Sequence, residues 1–180
     1  MIPTEQQCYA LMDQYQMLDN IREHSIAVAE ITRVISSGLV ASSVELSVDK
    51  AVAGALLHDI GKTQCLQTAG DHATLGRDIC LQHQFEEIAD IVAEHVWLRD
   101  YSPDGVYLEK EIVYYADKRV LHSSVVSLEE RMQYIVGAYG REDTRLRRLI
   151  QENFNICEGV EKKLFKKLVF GPQDLAGLIG

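Results

Sequence analysis

The chain reads as an all-α bundle of about seven or eight helices. Apolar residues recur with 3.6-residue periodicity over long stretches, the sequence holds only 3 prolines, and strand-like alternation is hard to find. Thr4 starts the first helix, where its hydroxyl caps the open end while Gln7 reaches back as a capping box, and the helix runs to about Leu18. Asp19 or Asn20 caps the second, which continues to about Gly38 with Ile21, Val28 and Ile35 along one face. A polar connector over 41–45 leads to Ser47, the cap of a third helix with the stripe Val48, Val52, Ala55. That helix ends in His58-Asp59-Ile60-Gly61-Lys62, where Gly61 permits a sharp exit. A loop through Gly70 and Asp71 delivers His72 to the start of the fourth helix, and residues 85–96 form the fifth. Residues 98–106, with Pro103 and Gly105, are a loop long enough to move. The sixth helix spans 109–121. Ser127 and Glu130 form a second capping box and open a helix that stops near Gly137 or Gly140. Residues 143–169 are the last helical region, with basic clusters at Arg145, Arg147, Arg148 and at Lys162, Lys163, Lys166, Lys167.

The 180 residues suit one domain with a real core. A hydrophobic fraction of 47% beside a charged fraction of 25% is that of an ordinary globule, not a disordered or membrane chain. No apolar run approaches the roughly 20 residues that span a bilayer. The opening Met1-Ile-Pro-Thr-Glu-Gln-Gln lacks a basic patch and an apolar stretch, so a secretory signal is not expected and the cytoplasm is. Cys8, Cys65, Cys80 and Cys157 are scattered without a CxxC, which argues for free thiols rather than a zinc ribbon or disulfides. A net charge of −9 disfavours long nucleic acid as a partner.

Polar residues stand where these helices should carry apolar ones. His24 lies three after Ile21 and four before Val28, and the stripe of the third helix runs into His58 and Asp59. His95 completes Ile88, Ile91 and Val92, and Asp117 comes after Ile112, Val113 and Ala116. Burying such groups without partners costs several kcal/mol each. A shared divalent metal satisfies all of them. A carboxylate next in sequence to a histidine can ligate one metal and bridge to a second, which makes Asp59 the natural bridge. Mixed imidazole and carboxylate donors suit iron, manganese, cobalt, nickel or zinc better than calcium.

The ordered set His24, His58-Asp59 within HDIGK, His72, His95 and Asp117 resembles the HD superfamily, specifically its HDIG branch, over about residues 20–120. The resemblance implies a metal-binding core at about 20–121, with 122–180 as C-terminal helices covering it. It implies one metal on His24, His58, Asp59 and Asp117 and another on Asp59, His72 and His95, iron ranking first and manganese second, with zinc, nickel or cobalt also compatible. Two such cations can hold an acidified water at neutral pH and neutralise an attacked phosphate. The expected function is hydrolysis of a small phosphate ester, a nucleotide or related phosphomonoester or phosphodiester, with Asp59 and Lys62 as catalytic residues. Lys62 is also expected to contact substrate, together with Arg77, Trp97 and Arg99.

Tyr101 is expected beside Trp97 as part of the pocket wall. Lys118 and Arg119 are read as surface charges of which at most one can face the site, because helix neighbours diverge by about 100°. His83 and His122 read as surface residues, His122 near a helix C-terminus. The chain lacks the GYP signature of cyclic-dinucleotide hydrolases and the glutamate-aspartate pair of alarmone hydrolases. It is similar to symmetrical dinucleoside tetraphosphate hydrolases in ligand order, but Asp117-Lys118-Arg119-Val120 does not continue with the acidic residue of that branch. Two rivals stand beside hydrolysis: an HD-fold di-iron oxygenase similar to inositol oxygenase, and a non-catalytic, metal-stabilised nucleotide-binding or signalling module. The expected partner is a small phosphorylated molecule, with no membrane and no long nucleic acid; a homodimer is compatible with the sequence.

Overall fold

The computed structural model describes residues 1–68, 70–140 and 143–179. The eight expected helices form, joined by two short ones. In order they are α1 (Glu5–Gln14), α2 (Asp19–Ala41), α3 (Val48–Leu57), α4 (Lys62–Thr68), α5 (His72–Gln82), α6 (Glu86–Glu94), α7 (Glu109–Lys118), α8 (Leu128–Tyr139), α9 (Thr144–Phe165) and α10 (Leu175–Leu178). The capping boxes at Thr4/Gln7 and Ser127/Glu130 are both made, and Ser47, Asp71 and Asp143 cap α3, α5 and α9 through their side chains. Helix α2 starts on Leu18 without a side-chain cap, so the expected capping by Asp19 or Asn20 is not found.

Helix α3 is the hub. Every residue of its segment 51–57 is buried, and it packs against α1, α2, α6 and α7. A helix surrounded on all sides reads as continuously apolar, which is why the sequence there is AVAGALL. Gly54 makes one of these contacts feasible, since a Cβ there would sit 2.6 Å from Ile91 Cγ2 of α6. Overpacking of this kind costs about 1–3 kcal/mol, more than the roughly 1 kcal/mol that alanine gains over glycine in a helix. Gly54→Ala is therefore expected to lower the urea unfolding midpoint. Gly137→Ala on α8, where nothing lies within 4 Å, is expected to raise it.

Four helix ends differ from the sequence reading by three residues or more. Helix α1 stops at Gln14, and α2 continues to Ala41. Helix α7 ends at Lys118, because Val120 and Leu121 leave the helix and pair antiparallel with Val125 and Ser124 in a two-residue-turn hairpin, β1 (Val120–Leu121) and β2 (Ser124–Val125). His122 adopts φ 57° in that turn, a position that hairpins of this length require. Helix α9 ends at Phe165, after which the chain turns so that Leu168 and Phe170 cover Gly38 of α2. Gly61 also has a different purpose from the one expected. Its backbone is not left-handed; a Cβ would meet the His72 carbonyl oxygen at 2.6 Å, so glycine permits close approach of the HDIG turn to α5.

The 98–106 loop is held down rather than free. Lys163 Nζ donates to the carbonyls of Ser102 (3.1 Å) and Val106 (2.8 Å), and Glu94 accepts from the Arg99 N–H at 2.7 Å. Cys8, Cys80 and Cys157 are buried free thiols and Cys65 is half-buried. Among the described residues, no helix is long and apolar enough to cross a membrane.

Candidate metal centre

Three helices and the turns that end two others bring the six histidines and aspartates of the ordered set together. His24 comes from the second turn of α2, His58 and Asp59 from the turn that ends α3, His72 from the first residue of α5, His95 from the end of α6 and Asp117 from the last turn of α7. His24 Nε2 lies 3.0 Å from Asp117 Oδ1, although 93 positions separate them in sequence. His58 Nε2 is 3.7 Å from the same oxygen and 3.4 Å from Asp59 Oδ2. On the other side, Asp59 Oδ1 is 3.4 Å from His72 Nε2 and 3.6 Å from His95 Nε2, and those two nitrogens are 3.1 Å apart.

Asp59 thus divides its carboxylate between two donor groups. One contains His24 and His58 and the other His72 and His95, and within each the donor atoms are near enough to share one ion. The tautomers are set by hydrogen bonding. The Nδ1 atoms of His24, His58 and His95 contact the carbonyls of His122 (2.9 Å), Ala55 (2.7 Å) and Val92 (2.7 Å). A carbonyl only accepts, so each Nδ1 carries the proton and each Nε2 presents a lone pair to the cluster. A lone pair facing a carboxylate oxygen needs a positive charge between or upon them. His58 Nε2 and Asp59 Oδ1, both buried, have no hydrogen-bond partner among the described residues. Orphaned acceptors at the centre of a buried cluster are what a divalent cation satisfies, and on this ground the residues fit one.

With protons rather than a cation between these groups, burial opposes ionisation of Asp59 and Asp117, yet the His58 and His95 contacts and Lys62 hold Asp59 well below the usual carboxylate range, and the His24 hydrogen bond, Lys118 and His58 do the same for Asp117. The two carboxylates in turn raise His58 against its burial. Burial and the neighbouring His95 push the His72 imidazole down to about 4. His72 is therefore neutral near pH 7, the form in which an imidazole binds metal.

The cluster opens into a cavity of about 490 Å³, within the range of small-molecule sites. Lys62, the first residue of α4, stands on its wall with Nζ 2.7 Å from Asp59 Oδ2. Trp97 is 45% exposed and lines the cavity, and Tyr134, Ile135 and Phe154 add to the apolar side.

Arg77 and Arg99 do not line this cavity. They line a neighbouring one that shares His72 and Trp97 with it, and Arg77 pairs at 3.5 Å with Asp78. Tyr101 does not wall the site either; it packs on Gly159 of α9 because Lys163 draws its loop there. Lys118 and Arg119 are buried, not surface charges. Lys118 Nζ reaches the carbonyls of His95 and Tyr114, while Arg119 points away from the site toward the carbonyls of Val126 and Pro172. Only Lys118 lines the cavity. His122 is exposed in the hairpin turn, with its ring on the cavity rim against Tyr134, and half-buried His83 contacts the Tyr15 hydroxyl.

Sequence reasoning missed Arg131 of α8, whose guanidinium lines the cavity 4.0 Å from Asp117 Oδ1. The signal was present: Arg131 falls three after Leu128 and four before Ile135, the same interruption of a stripe that marks His24.

The family model described as HD domain matches residues 21–120, more than half of the chain. The chain belongs to the HD-domain family. HD domains are generally metal-dependent hydrolases that bind divalent cations, in keeping with the donor cluster. This HD domain is 26% identical over 154 residues to the protein MJ0778 of Methanocaldococcus jannaschii, covering 77% of this chain and 88% of that one. It is 38% identical over 77 residues to ribonuclease Y of Fervidobacterium nodosum, covering 42% of this chain but 14% of that protein. Against ribonuclease Y of Mycoplasma mycoides the figures are 39% over 69 residues, 38% of this chain and 15% of that one. The chain therefore spans only a small part of the ribonuclease Y relatives. No solved structure gives a significant match.

Proposed function

We propose that this HD domain is a metal-dependent hydrolase of a small phosphate ester, with a nucleotide as the best-fitting class of substrate. His24, His58, Asp59 and Asp117 would hold one cation and Asp59, His72 and His95 a second, iron or manganese being the preferred metals. The observation that carries the reading is the division of the Asp59 carboxylate between two imidazole groups at the floor of an open cavity. Divalent cations bound there supply an acidified water and neutralise charge on the phosphate.

The chain's own residues do the rest. The carbonyl contacts of His24, His58 and His95 lock the rings so that Nε2 faces the cluster without further ordering cost. Lys62 brings an ammonium group to the cavity wall, and its charge binds a non-bridging phosphate oxygen. Asp59 and Asp117 stay ionised at neutral pH and supply the negative charge that would hold the cations. Trp97, Tyr134 and Phe154 offer an apolar wall to a base.

The test is metal analysis of anaerobically purified protein, then a phosphoester panel run in parallel with dioxygen uptake on a polyol. Cation-dependent phosphate release, lost on chelation and regained on adding metal, is expected. Dioxygen uptake without phosphate release would make the protein an oxygenase, and nucleotide binding without turnover would make it a binding module. Lys62→Ala is expected to keep its metal and raise KM for the best ester by about tenfold to a hundredfold, the range of a charge-assisted hydrogen bond. An unchanged KM would remove Lys62 from substrate binding.

A further inference from the structure

Arg131 is an expensive residue to keep where it is. Its side chain is only 14% exposed, its Nε is buried without a partner, and the guanidinium makes no hydrogen bond among the described residues. The nearest anion is Asp117 Oδ1 at 4.0 Å, beyond hydrogen-bond reach, and that oxygen already faces the imidazoles of His24 and His58. A guanidinium N–H that is buried and unpaired, as Nε is here, is destabilising unless an acceptor arrives to take it, and the terminal nitrogens remain open toward the cavity. The side chain also comes from an element that is not built for packing: Leu128 is the one buried residue among those of α8, so a polar arginine there is not required to hold the bundle together.

Where Arg131 stands specifies the anion. Its nearest carboxylate, Asp117, and the carboxylate that Lys62 contacts, Asp59, flank a single atom, His58 Nε2, at 3.7 and 3.4 Å. The two cationic side chains therefore converge on the same donor cluster from different helices, α4 and α8. Beside Arg131, one and two turns along α8, Tyr134, Ile135 and Tyr139 face the cavity with Trp97 and Phe154, a set of flat apolar surfaces of which Trp97, Tyr134 and Tyr139 are exposed. A ligand with a dianionic head and a planar apolar body matches both halves of this cavity.

We infer that Arg131 is a substrate-phosphate ligand of this site, binding non-bridging oxygens of a nucleoside monophosphate whose base lies against the Trp97 and Tyr134 side. The inference deepens the hydrolase reading and rests on it for the location of the phosphate. The fork of the guanidinium takes two oxygens at once, which a lysine cannot do. With Lys62, Arg131 puts a second cationic side chain on the cavity wall, and the paired positive charge favours a terminal, doubly charged phosphate over a singly charged diester.

Calorimetric titration of the manganese-loaded protein with adenosine 5′-monophosphate, inorganic phosphate and adenosine tests this without requiring turnover. Arg131→Gln is expected to keep its manganese, to weaken both phosphate-bearing ligands by tenfold or more, and to bind adenosine as the wild type does. Arg131→Lys is expected to fall between the two for the phosphate-bearing ligands, and it decides the matter if the glutamine variant does not fold. Wild-type affinity for adenosine 5′-monophosphate in the variants would overturn the inference, as would equal losses for adenosine, loss of manganese, or no binding of the monophosphate by the wild type. Turnover unaffected by Arg131→Gln would sink this assignment and leave the hydrolase reading intact. Phosphate-dependent binding through Arg131 without turnover would do the reverse.

Discussion

Asp59→Ala is expected to yield a folded protein that binds neither divalent cation and releases no phosphate from any ester. The side chain is 1% exposed and is the one group common to both imidazole clusters, with Oδ2 toward His58 and Oδ1 toward His72 and His95. Its removal leaves each cluster short of an anion and sets four imidazoles around a space with less negative charge to hold a cation. Two-cation sites lower the barrier by several kcal/mol, so without them the rate should fall by about a thousandfold or more. A second readout is independent of turnover. A cation that binds only the folded state stabilises it by about 2.7 kcal/mol at a hundred times its dissociation constant. Wild-type protein should therefore melt later when manganese is added after chelation, and Asp59→Ala should not. A well-folded Asp59→Ala protein with wild-type metal content would refute the bridging role.

The features of this centre that sequence could reveal are those that disturb a helical period. His24, His58, Asp59, His95 and Asp117 were legible because each interrupts an apolar stripe, and the structure places all of them at one point in space. His72 interrupts no stripe. It begins a helix after a loop, so its position was available only through family resemblance. Arg131 was legible by the stripe rule, but it belongs to no family motif that would set it apart from other helical arginines. The burial of Lys118 and Arg119 was not legible. Both lie at the end of α7, where the chain turns into a hairpin, and their partners are carbonyls of His95, Val126 and Pro172, whose positions come from long-range packing and not from local period. The same limit applies to Gly61, whose requirement comes from the neighbouring backbone of α5. Capping boxes are local, and those at Thr4 and Ser127 were legible from four residues each.

Lys163→Met is expected to produce the largest loss of stability of any substitution outside the donor cluster. Lys163 and Glu111 are 3% and 2% exposed and lie 2.7 Å apart, one on α9 and the other in the first turn of α7. Removing one partner of a buried pair strands the other charge, at a cost of about 3–5 kcal/mol. Part of that cost is recoverable: Lys163→Met with Glu111→Leu removes both charges, so the double variant should be more stable than either single one. Recovery should be incomplete. Lys163 also serves the carbonyls of Ser102 and Val106, and Glu111 closes the start of α7 by accepting from the Leu108 N–H. Urea unfolding of the chelated proteins measures the coupling, and hydrogen exchange locates it, with faster exchange expected within residues 98–106 in every variant that lacks Lys163. The consequence reaches the site, because the pair ties α9, which places Phe154 on the cavity wall, to α7, which carries Asp117. Additive losses in the single and double variants would mean that the two charges do not act as a unit.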